Sequence, residues 1–178
     1  MKTRSIVYAA LVAAIIIVLG LMPPLTLPFI PVPITLQSMG IMLAGSLLGK
    51  RDGTLSVSVV AILVLLGLPF LAGGRGGWAV LLGPTGGYFL AWPVAAFIIG
   101  YLSELGGHGL NFWWLLGSNI LGGILWVNFC GAIYLTFVTA VNLKAALLGS
   151  LIFIPGDCLK AILVTFVTLK LKRLRLFN

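Results

Sequence analysis

The chain has 178 residues, of which 61% are hydrophobic and 8% charged, with a mean hydropathy of +1.21. Soluble domains carry about 25% charged residues, so this composition excludes an ordinary soluble domain and predicts a polytopic membrane protein: one compact all-α bundle over residues 1–178 with no room for an extra soluble domain. The net charge of +8 does not point to nucleic acid, because the basic residues cluster at the ends of apolar runs.

Apolar runs fall at about 5–22, 34–49, 54–72, 87–103, 112–138 and 145–169. A span needs about 20 residues, with about 17 as the lower limit, so the second run is short. The fifth and sixth are long enough to be tilted, bent or broken. The first run follows Lys2 and Arg4 and mimics a signal peptide. Its length, the lack of a small-x-small cleavage site and the apolar segments behind it favour a retained span. Within it, Ala9/Ala13 and Ala10/Ala14 are small-xxx-small pairs that permit close helix contact, with the rest of the chain or with a partner.

Six spans alternate the connections between two sides. One side then holds Lys2, Arg4, Lys50, Arg51, Lys170, Lys172, Arg173 and Arg175, and the other only Arg75 and Lys144. The positive-inside rule places both termini in the cytoplasm. Five spans would put the two basic termini on opposite sides and spoil the asymmetry.

Two outer connections are unusual. Pro23-Pro-Leu-Thr-Leu-Pro-Phe-Ile-Pro-Val-Pro33 has five prolines in eleven residues. It should be extended and stiff, and its apolar side chains should pack over the bundle. The second, Leu68 to Gly87, contains Gly73-Gly-Arg-Gly-Gly77 and Leu82-Gly-Pro-Thr-Gly-Gly87, whose glycines permit backbone shapes other residues forbid. It is not a phosphate loop, because no Gly-Lys-Ser/Thr follows.

The last run carries Ile154-Pro-Gly-Asp-Cys-Leu-Lys160. A charge at bilayer depth costs roughly 2.5–3.5 kcal/mol on insertion scales, so Asp157 and Lys160 should face a cavity or a partner. Pro155-Gly156 should interrupt a helix entering from residue 143. Residues 143–153 therefore read as a separate helical or re-entrant segment, and the final helix as starting near Pro155 and ending near Lys172, about 26 Å long. Asp157 then lies in its first turn, where the helix dipole favours negative charge, with Lys160 at i+3 on the same face.

Topology brings further polar residues to the same outer half: Gln37 at the start of the second span, Thr85 and Tyr88 at the start of the fourth, Asn128 late in the fifth, and Arg75 in the glycine-rich loop, with Asn119 deeper. Together they predict a pocket for a small polar molecule entering from outside. Several have a structural alternative: an ion pair for Asp157 and Lys160, interhelical hydrogen bonds for Asn119, Asn128 and Gln37, interface anchoring for Tyr88 and Trp78. Cys130 and Cys158 lie in apolar stretches without metal spacing and read as buried small hydrophobes.

Pro31-Val-Pro-Ile-Thr-Leu-Gln37, Leu82-Gly-Pro-Thr-Gly-Gly-Tyr88 and Ile154-Pro-Gly-Asp-Cys-Leu-Lys160 resemble the signature segments of the BioY family, the biotin-binding S components of energy-coupling factor (ECF) transporters. The resemblance covers nearly the whole chain. It implies a six-helix bundle that binds biotin near the extracellular face. It also implies docking through helix 1, where Ala9, Ala10, Ala13 and Ala14 fit an Ala-xxx-Ala surface, onto a transmembrane coupling protein carried by two ATPases. Asp157 and Lys160 match the family's ligand-binding Asp and Lys, and Arg75 matches a basic loop residue. No cofactor or metal is implied. Asp157 would accept a ureido N–H, Asn128 or Tyr88 would serve the ureido oxygen, and Lys160 or Arg75 would pair with the carboxylate; alternatively Asp157 only orients Lys160.

An S component for another small vitamin would share the fold and differ only in the pocket. A membrane enzyme is disfavoured, because no second carboxylate lies near Asp157 and the single histidine, His108, falls in an expected cytoplasmic loop. A channel is disfavoured, because one charge of each sign suits a binding site better than an ion path.

Overall fold

The structure, a computed structural model, describes residues 3–26, 32–107 and 111–174; His108 lies outside them. Its helices are α1 (Thr3–Leu21), α2 (Gln37–Leu65), α3 (Ala79–Leu82), α4 (Gly86–Leu90), α5 (Trp92–Leu105), α6 (Phe112–Asn119), α7 (Val127–Val138), α8 (Leu143–Ser150) and α9 (Ile154–Arg173). A π-helical segment, Ile120–Trp126, joins α6 to α7, and a 3-10 turn, Leu151–Phe153, joins α8 to α9. Among the described residues the only β pairing is two isolated bridges, Leu25 with Ile34 and Leu71 with Arg75.

Six membrane-crossing segments follow from these helices, as the charge asymmetry required. Four continuous stretches are long and apolar enough to span: Thr3–Leu21, Gly86–Leu105, Phe112–Val138 and Leu143–Arg173. The other two are the arms of α2, which is not one rod. Gly49 sits inside it at φ 80°, ψ −176°, a conformation open chiefly to glycine, and the chain reverses there. Glu104 then caps the second arm: its Oε1 accepts from the Lys50 backbone N–H at 2.9 Å. Gly100 of α5 presses so close to Gly49 and Lys50 that a β-carbon on it would collide with their backbone. The helical arms of the second and third spans are thus residues 37–48 and 50–65, against the expected runs 34–49 and 54–72. The apolar runs overshoot the helices because Ile34–Leu36 and Leu66–Phe70 are apolar in sequence yet lie outside α2.

The fifth span departs from regular α-helix by a different device. The π turn of residues 120–126 carries Gly122 and Gly123, both buried, and such turns often sit at functional sites. In the sixth span the backbone keeps right-handed helical torsions through Leu151 and Ile154. The expected interruption before Pro155 is therefore a tightened turn. Proline is tolerated there because it falls in the first turn of α9, where its missing N–H has no partner to lose.

Two helix starts are capped by side chains. Asn111 accepts from Trp114 N–H and Asn142 from Ala145 N–H, both at 2.8 Å, each satisfying one otherwise unpaired donor. The main apolar core joins Val12 and Ile16 of α1, Ile41, Val57, Val60 and Val64 of α2, and Trp92, Ala95 and Ala96 of α5. Deeper in the bundle Asn119 accepts from Ser46 Oγ at 2.8 Å and donates to Thr165 Oγ1 at 3.2 Å, all three fully buried. Asn119 thus ties three spans together, the interhelical role its sequence position left open. Cys130 and Cys158 are free, half-buried thiols packed on the apolar clusters.

Candidate binding site

The end of the bundle that carries the proline-rich and glycine-rich connections encloses a cavity of about 90 Å³ accessible to water, room for roughly six waters or more at 10–15 Å³ each. Its wall comes from five places in the chain: Val32–Ser38, the glycine-rich loop at Leu71–Arg75, the start of the fourth span at Thr85–Trp92, Gly123–Asn128 beside the π turn, and Phe153–Lys160. All seven polar residues expected at the site, Gln37, Arg75, Thr85, Tyr88, Asn128, Asp157 and Lys160, line it. Their hydrogen bonds separate them into two kinds.

Lys160 is spent. Its ammonium has three donors, and they go to Thr35 O at 2.7 Å, Asp157 Oδ1 at 2.9 Å and Ser38 Oγ at 3.0 Å. Residue Lys160 is 7% exposed and Asp157 8%, so this pair lies in low dielectric, where its worth depends on full hydrogen bonding. Lys160 has that. Asp157 does not: among the described residues no donor reaches its Oδ2. The pair therefore fixes the carboxylate and leaves one oxygen available to whatever enters.

Gln37 is also spent. It is 1% exposed; its Nε2 donates to Phe70 O at 2.9 Å and its Oε1 accepts from Ala72 N–H at 3.1 Å. Both bonds go to the glycine-rich loop. That loop is a compact turn, with Leu71 N–H bonded to Arg75 O at 3.0 Å and Gly74 N–H to Leu71 O at 2.9 Å. Gly67, Gly73, Gly74 and Gly77 all have positive φ, the backbone freedom expected of this segment.

The remaining polar groups are open. Arg75 is exposed and uses only Nε, donating to Ala72 O at 3.2 Å; among the described residues its guanidinium has no carboxylate partner. Thr85 and Tyr88 show no side-chain hydrogen bond among the described residues. The Tyr88 ring lies on Gly131 of α7 and stands edge-on to Phe153, centroids 6.1 Å apart. Asn128 uses Nδ2 to reach Ile124 O at 2.9 Å, which leaves Oδ1. Apolar walls complete the cavity: Val32, Phe89, Trp92, Val127 and Phe153. Of the proline-rich connection, Val32 is buried and Leu25 and Ile34 exchange two backbone hydrogen bonds of 2.9 Å. Among the segment's described residues only Val32 packs over the bundle, whereas Leu25 is 70% exposed; residues 27–31 lie outside the described set. Trp78 is 69% exposed beside the glycine-rich loop.

A larger space of about 560 Å³ opens between α5, the π turn, α7 and α8. Leu121, Leu125, Phe129, Leu147 and Leu151 line it, and no charged side chain does. The charged side chains, Arg75, Asp157 and Lys160, line the smaller cavity instead.

The alanines of α1 divide by face. Ala9 and Ala13 are buried, with Ser56 of α2 donating to Ala9 O at 2.9 Å. Ala10 and Ala14 are exposed. Only the second pair is presented outward.

The sequence matches the family model described as the BioY family over residues 1–176. The chain belongs to the BioY family. It is 45% identical over 174 residues to a protein of Lactococcus lactis named biotin transporter BioY, covering 97% of this chain and 92% of that one. It is also 45% identical over 175 residues to a biotin transporter BioY of Rhizobium etli. Its fold matches the crystal structure of the S component for biotin from an ECF-type ABC transporter, with a TM-score of 0.93 and 45% identity over 97% of this chain and 92% of that one. A BioY chain is thus a multi-pass membrane protein of the S-component fold.

Two contributors to the site escaped the sequence reading: Ser38 and the carbonyl of Thr35. The available signal was register. Ser38 follows Gln37 directly at the start of a span, and a backbone carbonyl just before a helix start is free to accept.

Proposed function

We propose that this protein captures biotin at the outer face of the cytoplasmic membrane, as the substrate-binding subunit of an ECF-type transporter. The observation that carries the reading is the set of unpartnered groups around one cavity: Asp157 Oδ2, Asn128 Oδ1, the hydroxyls of Thr85 and Tyr88, and the Arg75 guanidinium. Biotin presents two ureido N–H donors, one ureido oxygen, an apolar ring and chain, and a carboxylate. Asp157 Oδ2 accepts one ureido N–H and Asn128 Oδ1 can take the other. The hydroxyl of Tyr88 or Thr85 donates to the ureido oxygen. Trp92, Phe89 and Val127 cover the ring and chain.

The two cations then have different jobs. Lys160 has no proton to spare and holds Asp157 in place. Arg75 has free N–H groups at the cavity mouth and pairs with the ligand carboxylate. Water displaced by the ligand leaves between the two outer connections, which exclude solvent once the cavity is filled.

For the partner side, docking through the exposed Ala10 and Ala14 lets a helix backbone of a transmembrane coupling protein approach α1 closely. Energy would come from two ATPase subunits attached to that coupling protein. The chain itself acts as a carrier and performs no covalent chemistry.

The test is to purify the protein in detergent, identify the small molecule it carries, and measure binding of labelled biotin against biotin amides and unrelated vitamins. Selective retention of biotin supports the reading, and retention of a different vitamin overturns it. Copurification of the coupling protein and ATPases, lost on Ala10→Leu or Ala14→Leu with biotin binding intact, tests the docking face.

A further inference from the structure

We propose that Gln37 is the latch of the glycine-rich loop, and that Gly20 of α1 seats that latch, so the packing of α1 sets how firmly the loop closes the biotin cavity. This rests on the biotin reading only for its ligand readout. Gln37 is the first residue of α2 and among the most fully buried side chains of the protein. Its amide bonds both Phe70 O and Ala72 N–H, spanning the residues immediately before Arg75. A helix side chain thereby supplies two hydrogen bonds that a loop rich in positive-φ glycines cannot supply to itself.

Behind the latch lies the outer end of α1. A β-carbon built on Gly20 would stand 2.5 Å from Gln37 Nε2 and closer still to Phe70 O. The backbone of α1 therefore touches both partners of one latch bond, and only glycine leaves room. Among the described elements α1 packs chiefly on α2, and its other face is apolar and exposed at Ile6, Val7, Leu11 and Val18. Its seating therefore rests mainly on α2. Gly20 does not line the cavity. A change there reaches the ligand only through the latch.

The experiment combines Gly20→Ala, Gln37→Glu and the double variant. Gln37→Glu keeps the shape but sets a carboxylate oxygen against Phe70 O. Two readouts are used: amide hydrogen exchange of the ligand-free protein, and the dissociation rate of labelled biotin. Each single variant should speed exchange across residues 66–77 with α5 and α7 unchanged, and raise the biotin off-rate about tenfold, the effect expected of losing one buried hydrogen bond to a charged or frustrated partner. The double variant should be little worse than the worse single one, because both break one latch. Additive effects, unchanged exchange in 66–77, or faster exchange throughout the bundle would each overturn the latch. If Gly20→Ala does not fold, Gln37→Glu still decides it by the exchange pattern. Loop loosening in protein that never held biotin would leave the latch standing and overturn the ligand.

Discussion

Among the described residues two lysine–carboxylate pairs of nearly the same length sit at opposite ends of the bundle. At the outer end Lys160 and Asp157 meet at 2.9 Å with side chains 9% and 12% exposed; at the inner end Lys50 and Glu104 meet at 3.1 Å with side chains 45% and 44% exposed. The distances say almost nothing about what each pair does. Desolvation makes the outer pair costly to assemble and very costly to break, because removing one partner strands a buried charge. Water and salt reduce the inner pair to a surface contact worth at most about 1 kcal/mol. The outer pair also has an asymmetry the inner one lacks: its cation is saturated by protein groups and its anion is not. A buried pair with one open oxygen is suited to receive a donor from a ligand, whereas an exposed pair beside a glycine turn is suited to fasten the chain.

The largest effect should come from breaking the outer pair at its open end. Asp157→Ala leaves Lys160 buried with only Thr35 O and Ser38 Oγ. It should destabilise the protein by about 3–5 kcal/mol, the usual cost of stranding one partner, and abolish measurable biotin binding. Asp157→Asn keeps the shape and should recover part of the stability but not the binding. Thermal unfolding in detergent and equilibrium binding of labelled biotin separate the two losses. If Asp157→Asn bound biotin normally, the carboxylate would only be positioning Lys160.

Next in size is Lys160→Met, which removes the ammonium and keeps most of the chain length. If Lys160 serves to hold Asp157, affinity should fall by one to two orders of magnitude, about 1.4–2.8 kcal/mol, and equally for biotin and for a biotin amide. A loss seen with biotin and not with the amide would instead put Lys160 on the ligand carboxylate. Arg75→Ala should show that second pattern. Because Arg75 is exposed, the loss for biotin should be about tenfold or less and should shrink as salt is raised, while amide binding stays unchanged. Competition titrations at low and high ionic strength read both results.

Much of this division was legible before any coordinates. Charge asymmetry decided six spans, and Pro155 and Asp157 located the start of the last helix to within a residue, because proline and a first-turn acid are both local signals. Sequence position alone also brought Gln37, Arg75, Thr85, Tyr88, Asn128, Asp157 and Lys160 to one half of the bundle. What it could not carry was direction. Lys160 and Arg75 look alike as cations in a sequence, and only the three acceptors around Lys160 reveal that it is already satisfied. Gln37 looks like a ligand contact until its two loop partners appear. Ala9/Ala13 and Ala10/Ala14 are indistinguishable as motifs, since a small-xxx-small pair reads the same whether it faces α2 or a partner. The reversal at Gly49 falls just before the connection expected at 50–53, and those polar residues instead open the second arm of α2, because hydropathy does not register a reversal made by a single torsion.

The smallest effect belongs to the inner pair, and its smallness is what makes it informative. Lys50→Gln removes an ammonium that also lies 5.4 Å from the Tyr101 ring centroid, yet all of this is at the surface. Stability should change by no more than about 0.5 kcal/mol, and biotin affinity not at all. Glu104→Gln should also leave binding untouched, since an amide oxygen still accepts from Lys50 N–H. Glu104→Ala should cost more, about 0.5–2 kcal/mol, because it uncaps the second arm of α2. The order Ala worse than Gln at position 104, with Lys50→Gln near neutral, would show that the inner pair works through its hydrogen bond to the backbone. Equal losses for Lys50→Gln and Glu104→Ala would show that its charge matters after all, and that burial is not what separates the two ends.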